Sequence, residues 1–257
     1  MIRDAVTLSS TIRFDIERGK PRRFIHLRPP SLRPSVPSSL RPFVPLSLLM
    51  PTLIDISPPI TPDLKVFPGD TPPSREVLLD MQRGDHLTLS TLHATVHLGA
   101  HVDGPNHYEA DAPGVEGWPL DLFIGPCQVI DCPPVSPEAE RVQINELRAA
   151  ITQPRVLLRT GAYPDPNQWQ AFPGLAPTLV DHLADAGVTL VGVDTPSVDP
   201  PTAKVLDAHH RFRARGVAIL EGIVLSHVEP GDYELIAMPL PLVGFDASPV
   251  RAALRRS

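Results

Sequence analysis

The chain has 257 residues, 42% of them hydrophobic, with 23 Lys and Arg against 29 Asp and Glu and a formal net charge of −6. That length and apolar content suffice for a substantial core in one domain, and the acidic balance argues against a general nucleic-acid binder. Two cysteines, Cys127 and Cys132, are too few for a disulfide framework and do not sit at thioredoxin or metal-knuckle spacing, so a reduced, cytoplasmic protein is expected.

Residues 1–49 differ from the rest. They hold nine Lys and Arg against three Asp and Glu, a net +6, whereas residues 50–257 hold 14 against 26, a net −12. From Pro21 to Pro45 the chain repeats Pro, Arg and Ser with no usable periodicity, and proline's fixed φ and missing donor disfavour a helix or a central strand. Leu46–Met50 is too short to cross a bilayer, and no small-residue cleavage pattern marks a secretory signal. Residues 1–49 are therefore expected to be a disordered extension or to lie upstream of the natural start, with a targeting segment as a third reading. Met50 directly precedes the first ordered apolar pattern and fits a first residue.

In residues 50–257, Leu53–Ser57 reads as a short strand, followed by a Pro-rich turn and Val66-Phe67-Pro-Gly-Asp70. Thr88–Val96 alternates with a period near two and predicts a strand running into a His/Asp cluster. Trp118–Ile124 suggests a helical turn or buried loop, Pro126–Asp131 a strand, Asn145–Ala150 a short helix and Arg155–Thr160 another strand. Leu175–Ala186, with Pro177 near its start, is the clearest helix, and Leu190–Asp194 a buried strand. A helix at His209-His210 leads into a strand ending at Glu221. Short strands with few helices predict a mixed α/β core.

The chemistry concentrates in His97-Leu-Gly-Ala-His101-Val-Asp103-Gly-Pro-Asn-His107, four potential ligands or proton carriers in eleven residues. Imidazole nitrogen with carboxylate oxygen suits zinc or a similar divalent ion, and the Gly/Pro turn allows His97, His101 and Asp103 to close around one. Any one of these residues alone would read as an ordinary polar group. Asp103, if a ligand, has two oxygens with which to bridge a pair of ions. His107 is open as a fourth ligand, an orienter or a general acid/base, and its ordinary titration range favours proton transfer. His209 and Glu221 could complete the centre through the tertiary fold. The chain has no Walker sequence or dinucleotide glycine series, and neither Ser197 nor Ser226 lies in a nucleophile elbow.

The segments Asp55-Ile-Ser57, Val66–Asp70, His97–His107, Pro119–Cys127, Gly192–Ser197, His209–Glu221 and the ending Leu235–Leu242 with Asp246–Pro249 together resemble the metal-dependent cyclase-like hydrolases, and within them the bacterial kynurenine formamidase branch. The resemblance covers nearly all of residues 50–257. It implies a homodimer with a single mixed-sheet swivelling β/β/α-type domain and two Zn2+ per subunit. His97, His101 and Asp103 would hold one zinc, with Asp103 and Glu221 bridging to a second that His209 also binds. His107 would carry the proton, and Phe67 would lie against an aryl formamide, N-formyl-L-kynurenine, hydrolysed to L-kynurenine and formate in tryptophan degradation. Two departures stand out: Ala100 where the family commonly has Thr, and Phe67 where that branch commonly has Trp. Ala100 removes no ligand. Phe67 keeps the aromatic face and loses an indole donor, which leaves room for another cyclic or acyclic amide such as an isatin-like lactam. A metal-binding protein without turnover is the remaining alternative, and neither nucleic acid nor membrane is an expected partner.

Overall fold

The computed structural model describes residues 53–136 and 138–256, so the reading of residues 1–49 lies outside them. The first strands are β1 (Leu53–Asp55), β2 (Ser74–Leu79), β3 (Leu89–His93), β4 (His101–Asp103) and β5 (Ile124–Asp131). Then come β6 (Arg141–Val142), β7 (Arg155–Arg159), β8 (Gly174–Leu175), α1 (Pro177–Asp185) and β9 (Leu190–Val193). The chain ends with α2 (Asp207–Arg215), β10 (Ala218–Glu221), β11 (Gly231–Ile236), β12 (Ala247–Pro249) and β13 (Ala253–Arg255).

Nine of these strands form one curled, mixed sheet in the order β1-β13-β11-β5-β7-β9-β10-β4-β12. Its centre, β5-β7-β9-β10, is parallel, and both flanks are antiparallel. The central strands are apolar at successive positions because both faces are covered. On β7, Leu157 points into one core with Phe123, Leu220 and Leu254, while Val156 and Leu158 point into another with Leu183, Val191 and Phe212. Helices α1 and α2 close the second face through Leu179, Leu183, Ala208 and Phe212. The architecture is thus the expected α/β domain, a half-barrel with few helices.

Local signals set the helix bounds. Pro177 occupies the first turn of α1, where its missing donor costs nothing, and Gly216 ends α2 at φ +64. Two expectations shift. Thr88–Val96 is a strand only from Leu89 to His93, and it pairs with β2 in a separate hairpin rather than in the main sheet. Asn145–Ala150 shortens to a 3-10 turn at Ile144–Glu146, closed by a capping box between Gln143 and Glu146.

The site is assembled where β10 meets β4. The antiparallel pairing places Glu221 opposite His101. The next residue, Gly222, has φ +66, and a Cβ there would collide with the Gly99 carbonyl oxygen. Only glycine lets the β10 end approach the histidine loop so closely.

Candidate metal centre

Four segments bring the sequence-predicted ligands together. His101 and Asp103 lie on β4, His97 on the preceding bend, His209 on α2 and Glu221 at the end of β10. Asp103 is fully buried, and His101, His209 and Glu221 are nearly so. His97, His101 and Asp103 can present ligand atoms within 4.8 Å of one another, and so can Asp103, His107 and His209.

The two carboxylates straddle the cluster. Asp103 Oδ1 lies 3.3 Å from His97 Nδ1 and 3.6 Å from His101 Nε2, while its Oδ2 lies 3.4 Å from His209 Nε2. Glu221 repeats the pattern, with Oε2 3.3 Å from His101 Nε2 and Oε1 3.5 Å from His209 Nε2. Each carboxylate therefore offers one oxygen to the His101 side and one to the His209 side.

The donor set fits a cation. Both Asp103 oxygens and His101 Nε2 are buried without an aligned hydrogen-bond partner. Buried polar atoms left this way are costly, and here three converge on one spot. The outer nitrogens are already engaged. His101 Nδ1 donates to the Gly99 carbonyl at 2.9 Å, and His209 Nδ1 to Asp199 Oδ2 at 2.8 Å, which leaves both Nε2 atoms facing inward.

Without a cation the cluster holds protons instead. Burial opposes charging His97, but Asp103, Glu221 and Asp246 outweigh it and hold its pKa up at about 9. His209 is raised well above the ordinary histidine range, as Asp103, Asp199 and Glu221 prevail over burial. Burial also works against the Asp103 carboxylate, yet His209 and His97 keep its pKa well below the usual range. His107 behaves oppositely. Burial, with His97 and His209, outweighs Asp103 and Glu221 and holds it below the ordinary value, which favours the neutral form that can accept a proton.

His107 sits on the 3-10 turn Pro105–His107, its ring centroid 4.2 Å from that of His97. It borders a cavity of about 360 Å³ together with Phe67, Tyr163, Ile223 and Val224. Phe67 lines that cavity. Sequence reasoning missed three contributors. Asp199 orients His209; Asp246 places Oδ2 3.2 Å from His97 Nε2 and 3.7 Å from His107 Nδ1; and Trp169 backs Phe67 edge-on at 5.2 Å. The cysteines play no part in this site. Both are buried away from the cavity, and burial pushes each thiol up to about 12.

A buried His/Asp/Glu cluster at the edge of a curled mixed sheet is the metal site that a metal-dependent hydrolase requires. The chain matches the Cyclase family model ("Putative cyclase") over residues 54–200, more than half its length, and it belongs to that family. The match ends before His209 and Glu221, which the fold returns to the site. Solved structures agree. A potential metal-dependent hydrolase with cyclase activity superposes with a TM-score of 0.69 at 26% identity, covering 80% of this chain and 98% of that one. A predicted metal-dependent hydrolase from Bacillus stearothermophilus gives 0.65 at 27%, with coverage of 80% and 98%. Isatin hydrolase A from Labrenzia aggregata gives 0.68 at 23%, with coverage of 80% and 93%, a likeness of fold.

Proposed function

We propose that this protein hydrolyses an amide carried on an aromatic ring, using two Zn2+ ions held by His97, His101, Asp103, His209 and Glu221. The observation that carries this reading is the straddling of the cluster by Asp103 and Glu221, each with one oxygen toward either histidine side. When bound, such a pair of ions supplies positive charge that acidifies water and draws electron density from an amide carbonyl. Neutral His107, at the cavity border, accepts the proton that water gives up and passes it to the departing nitrogen as the C–N bond breaks. Phe67, held by Trp169, provides a face for the aryl ring.

Two substrates fall in this class. The isatin hydrolases that share the fold support a cyclic amide of the isatin type. The sequence resemblance supports N-formyl-L-kynurenine, giving L-kynurenine and formate in tryptophan degradation. Supplying both to zinc-loaded protein separates them: ring-opened acid from isatin identifies a lactamase, and formate from the formamide identifies an arylformamidase. Turnover of neither would reject the aryl-amide reading.

We place the catalytic domain in residues 50–257, since every proposed site residue falls there. A reducing, cytoplasmic setting is supported by two free cysteines in the core. None of the described helices is long and apolar enough to cross a membrane. Homodimerisation is supported by the β2–β3 hairpin, whose Leu78, Leu89 and Leu92 stand about half exposed on a ribbon too small to be stable alone.

A further inference from the structure

The stretch Leu242-Val-Gly-Phe-Asp246 leads into β12, and its backbone fixes where Asp246 lies. Gly244, at φ +77, donates its N–H to Glu116 Oε2 at 3.0 Å, and its carbonyl accepts from Asn106 Nδ2 at 3.2 Å. The Phe245 carbonyl accepts from Val115 N at 2.9 Å, and the Asp246 carbonyl from Gly104 N at 2.7 Å. These bonds tie the loop to the segment from Gly104 to Glu116, which carries His107. Ala247 then pairs with Asp103 on β4. The Asp246 carboxylate is thereby held against two rings of the site.

Both contacts use one oxygen. Oδ2 lies 3.2 Å from His97 Nε2 and 3.7 Å from His107 Nδ1, and a carboxylate oxygen has lone pairs enough to accept from both. The His97 contact completes a pattern among the proposed ligand histidines. Each turns one nitrogen toward the buried carboxylates and rests the other on a protein acceptor: the Gly99 carbonyl for His101, Asp199 for His209 and Asp246 for His97. His97 differs in its inward atom, Nδ1, which lies 3.3 Å from Asp103 Oδ1. The His107 contact has another consequence. Among the described residues, Asp246 is the one carboxylate paired with His107. The hydrogen bond made by one imidazole nitrogen sets which nitrogen carries the proton. An acceptor beside Nδ1 keeps the proton there and leaves Nε2 free to take another.

We propose that Asp246 is a positioning residue shared by two histidines: its Oδ2 fixes the His97 ring for the cation and holds the proton of neutral His107 on Nδ1, so that Nε2 is the accepting atom. This deepens, and rests on, the reading of His107 as the proton carrier of a metal-dependent hydrolase. When His107 takes a proton from water on Nε2, the resulting imidazolium faces the Asp246 carboxylate. The same Nε2 proton then goes to the departing nitrogen, and Asp246 neither gains nor loses one.

Two measurements on the full-length, zinc-loaded protein test this without substrate: nitrogen NMR of the histidine rings, which reads the tautomer, and competition with a chromophoric chelator, which reads zinc affinity. Wild-type His107 should carry its proton on Nδ1. Asp246→Ala should return His107 to the tautomer mixture of an unconstrained imidazole and weaken zinc binding by about 10–100-fold. Asp246→Asn, whose amide oxygen can still accept, should recover most of both. In turnover assays at saturating zinc, Asp246→Ala should lower kcat at least about tenfold with KM unchanged. An Nε2–H tautomer or a zinc-bound His107 in the wild type would overturn the proposal. So would unchanged zinc affinity in Asp246→Ala, or an Asp246→Asn protein as impaired as Asp246→Ala in either readout. A raised KM at unchanged kcat would also overturn it, by making Asp246 a substrate contact. Wild-type turnover alone tests the aryl-amide reading, so its failure leaves the tautomer and zinc results standing.

Discussion

Asp199 Oδ2 accepts the Nδ1 proton of His209 at 2.8 Å and also accepts from the backbone nitrogens of Ala208 and His209 at 3.1 Å. One buried carboxylate thus holds the α2 entrance and fixes which histidine nitrogen faces Asp103 and Glu221. Arg141 Nη1, 2.8 Å from Asp199 Oδ1, balances its charge.

Asp199→Ala should therefore weaken zinc binding without removing a ligand. Losing such an orienting partner typically costs about 10–100-fold in metal affinity. Competition with a chromophoric chelator measures this, and unchanged affinity would assign Asp199 to helix capping alone.

His107→Ala separates proton transfer from metal retention. The expected result is a fall in kcat of about 10²–10⁴-fold with zinc content unchanged. Parallel loss of zinc and activity would make His107 a ligand or a structural residue instead.

Much of this was legible in the sequence because it is local. The His97–His107 motif carries its ligands within one turn, and Pro177 and Gly216 mark helix ends through backbone chemistry that needs no tertiary context. Asp199 and Asp246 were not legible as site residues. An isolated Asp in a loop reads as a turn residue, and only the return of α2 and the β12 pairing bring these two against the histidines. The Gly192–Ser197 stretch, ending two residues short of Asp199, was the nearest signal. The hairpin was misjudged for a related reason. A period of two states that a strand forms but not which sheet it joins, and among the described residues β3 pairs with β2 alone.

The protonation of the metal-free cluster sets two opposite pH trends. His97 has a folded value of about 9 against an ordinary 6.5, so its stabilising contribution is fully present below about pH 6.5 and is lost as pH rises through 9. His209, also raised, adds in the same direction. The chelated protein should lose thermal stability between pH 6.5 and 9, as a melting series would record. Zinc must displace these protons, so its apparent affinity should rise across the same window by at least about tenfold per pH unit. A flat melting series would mean that the cluster is not protonated without metal.

The central claim is that this cluster holds the ions on which amide hydrolysis depends. The most direct measurement is product release, formate from N-formyl-L-kynurenine and ring-opened acid from isatin, as zinc is returned stepwise to the chelated protein. Activity absent without zinc and rising to a plateau near two equivalents per chain is the predicted result. Full turnover in the rigorously chelated protein, or none after two equivalents have bound, would contradict it.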